Sequence, residues 1–254
     1  MAERTLVLVP GYNEPPAHFE IIQNGKNGIP GVRSFGFKCV TFGVEDDRLR
    51  DRIDRFADYL TELRREGFAF PVVTFGYSLG GLVVRGFLRA YPERAREVSH
   101  TVMVAAPNWG VVTMAMPHLT AMLRVPDKAM GDMDLHSEFM RWLNGVSGHW
   151  QPVHDKRDKI WIPNGEPVVA PAGSKILSIQ GLIPDRGCDN DGLVWADSST
   201  LGSRIPAHYI VGPHANHMNI IGHFDPVVMM TKGFGANDRV WPLTLRALLR
   251  FIEA

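Results

Sequence analysis

The sequence predicts an α/β domain built on a doubly wound, mostly parallel sheet that carries a cap or lid insertion. Three observations predict it. Six short β-prone runs recur along the chain, at residues 5–9, 38–42, 71–75, 100–105, 175–180 and 209–211. Helical periods separate several of them, the alternation that produces parallel crossovers. One run, Val72-Val73-Thr74-Phe75, leads straight into Gly76-Tyr77-Ser78-Leu79-Gly80-Gly81 and an apolar helical stretch.

Taken in order, Thr5 to Val9 reads as a short buried strand, ended by the loop Pro10-Gly11-Tyr12-Asn13. Residues 13–37 are rich in Gly, Pro and Asn and predict loop with a short helix near 19–23. Residues 38–42 return to strand. Between 46 and 66, Leu49, Ile53, Phe56, Leu60 and Leu63 recur every three or four residues, one apolar face of a helix, and Gly67 stands just past its end. The third strand is 71–75, the helix after Ser78 runs to about Ala90, and 100–105 is the fourth strand.

From 111 to 172 the pattern loosens. Met114, Met116, Met122, Met130, Met133 and Met140 crowd this stretch, with Trp142, Trp150 and Trp161. Too few apolar residues recur at one period for an independent domain, so the stretch is read as an insertion over the sheet. Strands at 175–180 and 209–211 follow, and Leu243, Ala247, Leu248 and Phe251 mark a closing helix over 239–252. Residues 1–254 are thus read as a single domain with a cap or lid insertion at 111–172.

The composition narrows the function classes. With 27 basic and 27 acidic residues the formal net charge is zero, which gives no electrostatic footprint for nucleic acid or an anionic membrane. Cys39 and Cys188 are too few for a cysteine metal cluster or a disulfide framework, and geometry decides whether they pair once. No run of about 18 apolar residues is present to span a membrane. The first residues have no basic region and long apolar stretch of a signal peptide, so the expectation is a cytoplasmic protein.

Chemistry concentrates at Gly76-Tyr77-Ser78-Leu79-Gly80. Gly-x-Ser-x-Gly alone arises by chance, but between a strand and a helix it has a mechanism. The sharp turn lifts one hydroxyl above the sheet, and the following helix start aims N–H groups at a developing oxyanion. Ser78 is therefore the candidate nucleophile. A serine needs a base in reach, and the base needs a third group to orient it.

Among the later histidines, His208, His214, His217 and His223 follow the final strands, and His214 and His217 share the loop after the last one. Either can reach back to the serine. For the acid, Asp185, Asp189 and Asp191 share the loop after 175–180, and Asp191 is preferred because it opens the tight turn Asp191-Gly192-Leu193-Val194.

These residues carry a resemblance. Val9-Pro10-Gly11-Tyr12 resembles the His-Gly-x oxyanion loop of α/β-hydrolase-fold lipases and esterases, with proline replacing histidine. Gly76 to Gly81 is similar to their nucleophile elbow, and Ala106-Pro107-Asn108-Trp109-Gly110 to their Thr-Pro-His-x-Gly turn. Met133 to Phe139, with Leu143-Asn144, resembles their Asp-Leu-x-x-x-Ser-x-Phe and Leu-Asn segment. Asn190 to Val194, followed by Ser198-Ser199, looks like the acid loop of bacterial triacylglycerol lipases, and Asn216-His217-Met218-Asn219 like their Asn-His-Leu-Asp.

The resemblance implies a minimal α/β-hydrolase fold with Ser78 as nucleophile, Asp191 as acid and His217 as base. It puts the oxyanion hole at the backbone N–H groups of Tyr12 and Leu79. Asn219 stands where some of these lipases have an aspartate that helps bind calcium, so neither a metal nor a cofactor is expected. The expected activity is cleavage of a small-molecule or lipid carboxylic ester with an apolar acyl or alcohol part. The alternatives are acyl transfer, thioester or amide cleavage by the same residues, or a non-catalytic binding protein on this scaffold.

Overall fold

Leu6 and Leu8 point to one side of the sheet and Val7 and Val9 to the other, and all four are fully buried. Strands buried on both faces are apolar throughout, as a parallel sheet between two helical layers requires. The computed structural model describes the whole chain except residues 1–2, 13, 15, 27, 44, 46, 112–127, 147–152, 155–160, 163–168, 186–187, 192, 195, 202–203, 213–214, 218 and 223–239.

In chain order the main elements are β1 (Arg4–Val9), β2 (Phe37–Thr41), α1 (Leu49–Arg65), β3 (Val72–Tyr77), α2 (Leu79–Ala90) and β4 (Val98–Val104). They continue with α3 (Glu138–Asn144), β5 (Ile176–Gly181), β6 (Ala207–Val211) and α4 (Val240–Glu253). The six strands form one sheet in the order β6-β5-β4-β3-β1-β2, every pairing parallel. The chain goes outward from β1 to β2, then crosses back to β3 and builds in the opposite direction. Order reverses between β1 and β3, and a crevice opens there at the carboxyl ends of the strands.

Each face of the sheet has its own core. On one, Val7, Val9 and Met103 pack with Ile53, Phe56 and Leu60 of α1 and Leu82, Val83 and Phe87 of α2. On the other, Leu6, Leu8, Phe75 and Val102 pack with Phe19, Ile22 and with Trp241, Leu245 and Leu248 of α4. Each such aliphatic or aromatic side chain contributes about 1.5–3 kcal/mol relative to exposure.

The helices end as their sequences demand. After α1, Gly67 takes φ +81°; its N–H donates to the Arg64 carbonyl (3.2 Å) and the Phe68 N–H to the Leu63 carbonyl (3.0 Å). That left-handed cap disfavours any side chain at the position. The helix predicted from 46 begins later, at Leu49, because its N-terminal cap comes from far away: Asp132 Oδ2 accepts the Leu49 N–H at 2.8 Å.

Of the stretch 111–172, residues 128–146 pack on α1 and α2, with Met133, Leu135, Phe139, Met140 and Leu143 in the core. Met133 and Met140 thus serve as ordinary packing. Most of the remaining predicted insertion lies outside the described residues. Cys39 is a free thiol on β2, and burial pushes its pKa up; the side chain of Cys188 lies outside the described residues. Among the described residues no helix is long and apolar enough to cross a membrane.

Candidate active site

Ser78 sits alone between the end of β3 and the start of α2, at φ 51° and ψ −122°. This is a sparsely populated conformation for a residue with a side chain, and the surroundings hold it in place. Its N–H donates to the Val104 carbonyl at the end of β4 (2.8 Å), and its carbonyl accepts the Gly81 N–H (3.0 Å). The flanking glycines leave no alternative. A Cβ on Gly76 would lie 2.7 Å from the Gly80 carbonyl oxygen, and one on Gly80 would lie 2.0 Å from that of Val9.

That second contact presses the elbow against the loop after β1. Gly11 in that loop faces the nucleophile so closely that a Cβ there would be 3.0 Å from Ser78 Cβ. Tyr12 follows directly, and Leu79 opens α2, where N–H groups precede the ladder of intrahelical bonds. Gly11, next to the predicted donor Tyr12, and the predicted donor Leu79 are thus neighbours of Ser78 from the loop after β1 and the start of α2.

His217 arrives on the loop after β6, whose path is fixed from several directions. The Asn216 N–H donates to Asn219 Oδ1 and the Asn219 N–H to Asn216 Oδ1, both at 2.7 Å. Ile220 and Ile221 anchor the next turn in the core against α4. The His217 N–H donates to the Asp191 carbonyl (2.9 Å), and its own carbonyl accepts the Tyr77 hydroxyl (2.8 Å). Its imidazole lies 2.8 Å from Asp191 Oδ2 through Nδ1 and 3.0 Å from Ser78 Oγ through Nε2. An ionised carboxylate only accepts, so Nδ1 carries the proton and Nε2 is left to accept from the serine hydroxyl.

Asp191 is 1% exposed, yet its carboxylate is fully used. Oδ1 accepts the N–H groups of Leu193 (3.0 Å) and Val194 (2.7 Å), and Oδ2 faces the imidazole. The turn that made Asp191 the preferred acid is therefore the turn that orients it. Asp185 and Asp189 lie on the short antiparallel ribbon Ile183–Asp185 with Cys188–Asn190, just before it. His214 lies outside the described residues.

Sequence reasoning missed several groups around this line. Tyr77, the variable residue of the elbow, holds the His217 backbone, a contact spanning 140 residues that no local pattern signals. Glu14, 8% exposed, pairs with His18 beside the loop after β1. Burial pushes its carboxyl pKa up, and the neighbouring His18 and His217 oppose that shift.

Behind the elbow, Arg85 of α2 is fully buried. It donates to the carbonyls of Val169 (3.0 Å), Asn108 (3.2 Å) and Leu143 (3.4 Å) and to Asn144 Oδ1 (2.7 Å). Burial, with Arg89 nearby, pushes its pKa down to about 9. Asn108 in turn donates to the Ser199 carbonyl (2.7 Å), in the helix that follows the acid turn. Among the described residues no group of three His, Cys, Asp or Glu side chains is placed to hold a metal.

A parallel sheet of this order, with a strained serine after β3 and an imidazole–carboxylate pair delivered by the loops after β6 and β5, is the α/β-hydrolase fold. Solved structures agree. A lipase of Bacillus licheniformis in its mature form matches with a TM-score of 0.60 at 17% identity, covering 91% of each chain. A carboxyl esterase of metagenomic origin matches at 0.64 and 18% identity, over 99% of this chain and 76% of that one. Lipase B of Aspergillus fumigatus matches at 0.58 and 14% identity, over 99% of this chain and 63% of its own. No family model and no curated protein matches the chain by sequence. At such identities the likeness establishes the fold, and the chemistry rests on the residues of the site.

Proposed function

We propose that the protein is a serine hydrolase of carboxylic esters, with Ser78 as nucleophile, His217 as base and Asp191 as the acid that orients it. One observation carries the reading: an unbroken line from Ser78 Oγ to His217 Nε2 and from His217 Nδ1 to a buried Asp191, at 3.0 and 2.8 Å. A scaffold kept only for binding needs neither the strained serine nor the line.

In the proposed reaction Ser78 Oγ attacks the acyl carbonyl while its proton passes to His217 Nε2. The N–H groups of Tyr12 and Leu79 receive the negative oxygen of the tetrahedral intermediate. The imidazolium then gives its proton to the leaving alcohol. Water, deprotonated by the same nitrogen, attacks the acyl-enzyme and releases the carboxylic acid with Ser78 restored. Asp191 stays ionised throughout and stabilises the imidazolium. The lipases and esterase of like fold support an ester as substrate, with an apolar acyl or alcohol part the reading to be tested.

A fluorophosphonate should label Ser78 and nothing in Ser78→Ala, and p-nitrophenyl esters of rising chain length should give a defined optimum. Absence of labelling at Ser78 in folded protein would defeat the proposal.

A further inference from the structure

At the other end of the sheet, a cleft of about 340 Å³ opens between β6 and α4, lined by Leu177, Ala207, Tyr209, Arg246, Ala247, Arg250 and their neighbours. Ala207 and Leu177 belong to the beginnings of β6 and β5, whereas the candidate active site lies beyond their carboxyl ends. The volume is at the lower end of the range for small-molecule sites.

The cleft has two chemically distinct parts. Leu177, Ala247 and Phe251 give it an apolar floor continuous with the core, and Tyr209 is 40% exposed beside it. Arg246 and Arg250 supply the other part. Four residues apart, they share one face of α4, about 6 Å apart along its axis. Among the described residues neither makes an ion pair or hydrogen bond. Behind the wall, Lys175 and Arg4 lie close enough to act on the buried ring of His100. His100 stacks edge-on against Phe251 at 5.4 Å, and both its ring nitrogens are buried without a partner. Burial, then Lys175 and Arg4, pushes its pKa down. Two arginines without an ion pair thus border an apolar recess.

We propose that this cleft binds an amphiphile, an anionic phosphate or carboxylate head on an alkyl chain. The head bridges Arg246 and Arg250, and the chain lies on Leu177, Ala247 and Phe251. Guanidinium groups one helical turn apart present paired N–H donors to such a head. The chain displaces water from surface that is already apolar. The ligand has two sources, a free alkyl phosphate or carboxylate and an anionic phospholipid at a bilayer, and the two share this chemistry.

The test is titration calorimetry of the full chain with octyl phosphate, octanoate and inorganic phosphate, beside sedimentation with phosphatidylglycerol vesicles. The variants are Arg246→Ala/Arg250→Ala and Ala247→Trp, which fills the recess, each checked by thermal melting. Octyl phosphate should bind, inorganic phosphate at least about tenfold more weakly, and either variant should weaken octyl phosphate at least about tenfold. Binding of octyl phosphate without vesicles identifies a free amphiphile, and arginine-dependent vesicle binding alone identifies the phospholipid. Arginines that only complement the α4 dipole would change the melting temperature and leave binding untouched. That outcome, no binding of either source, or inorganic phosphate binding as tightly as octyl phosphate, overturns the proposal.

Discussion

Replacing Asp191 by asparagine changes one atom's chemistry at a position where the structure dictates which way the amide must turn. Oδ1 accepts two backbone N–H groups, from Leu193 and Val194, at 3.0 and 2.7 Å. Turning the amide NH2 toward them would leave two donors facing a donor, at about 1–3 kcal/mol each. The amide oxygen therefore keeps the Oδ1 place, and the NH2 faces His217 Nδ1. An imidazole that accepts at Nδ1 carries its proton on Nε2, where it faces Ser78 and cannot take the hydroxyl proton. The nucleophile loses its base while the fold keeps its contacts.

The expected loss in kcat is about 10⁴-fold, or roughly 5.5 kcal/mol of barrier. Melting should shift only modestly, because neutral hydrogen bonds replace charge-assisted ones of about twice the strength. Steady-state hydrolysis of a p-nitrophenyl ester, the rate of fluorophosphonate labelling and a thermal melt together read the effect. The two rates should fall together. An Asp191→Asn protein with native melting that keeps more than about a tenth of the wild-type rate would refute the tautomer argument.

Four further outcomes are expected. Ser78→Ala and His217→Ala should each cost several orders of magnitude, with the double variant hardly worse than either, and His214→Ala should change the rate by no more than about tenfold; an essential His214 with a dispensable His217 would reverse the assignment of the base. Gly80→Ala places a methyl 2.0 Å from the Val9 carbonyl oxygen and should destabilise by about 3 kcal/mol or more, so an unshifted denaturation midpoint would contradict the close approach. Because burial raises the Glu14 pKa above 4.5, the native state holds its proton longer than the unfolded state, and this group's contribution to stability falls as pH rises from about 4.5 through the folded pKa. Melting of Glu14→Gln relative to wild type should therefore rise across that window and level off above it; a flat difference from pH 4 to 8 would remove the effect. If the part of 111–172 outside the packed residues 128–146 forms a mobile cap, rates should rise on aggregated ester or with mild detergent, and equal rates on dissolved and aggregated ester would argue for a fixed one.

Where the sequence was legible, the physics was local. Short β-prone runs marked all six strands, with ends differing by a few residues, although only the inner strands are buried on both faces. β6 begins two residues before the predicted 209–211, because Ala207 and exposed His208 on an edge strand carry no apolar signal. The serine, the aspartate turn and the histidine loop were each readable from a neighbourhood of about ten residues. What stayed hidden depends on chain distance. Asp132 capping α1 from 83 residues away, Tyr77 holding His217, and the reversal of strand order between β1 and β3 leave no local trace. Arg85 is the clearest case. Within Leu82-Val83-Val84-Arg85-Gly86 a charge reads as the solvent side of a helix, but tertiary acceptors from three segments draw it inside.

That single guanidinium also decides where the chain can be re-engineered. It grips Leu143 and Asn144 on one side and Val169 on the other, so the two ends of the intervening sequence are tied to the same helix that carries Ser78 at its start. Arg85 is therefore the position where a substitution is least tolerable, since one change there would loosen both moorings at once.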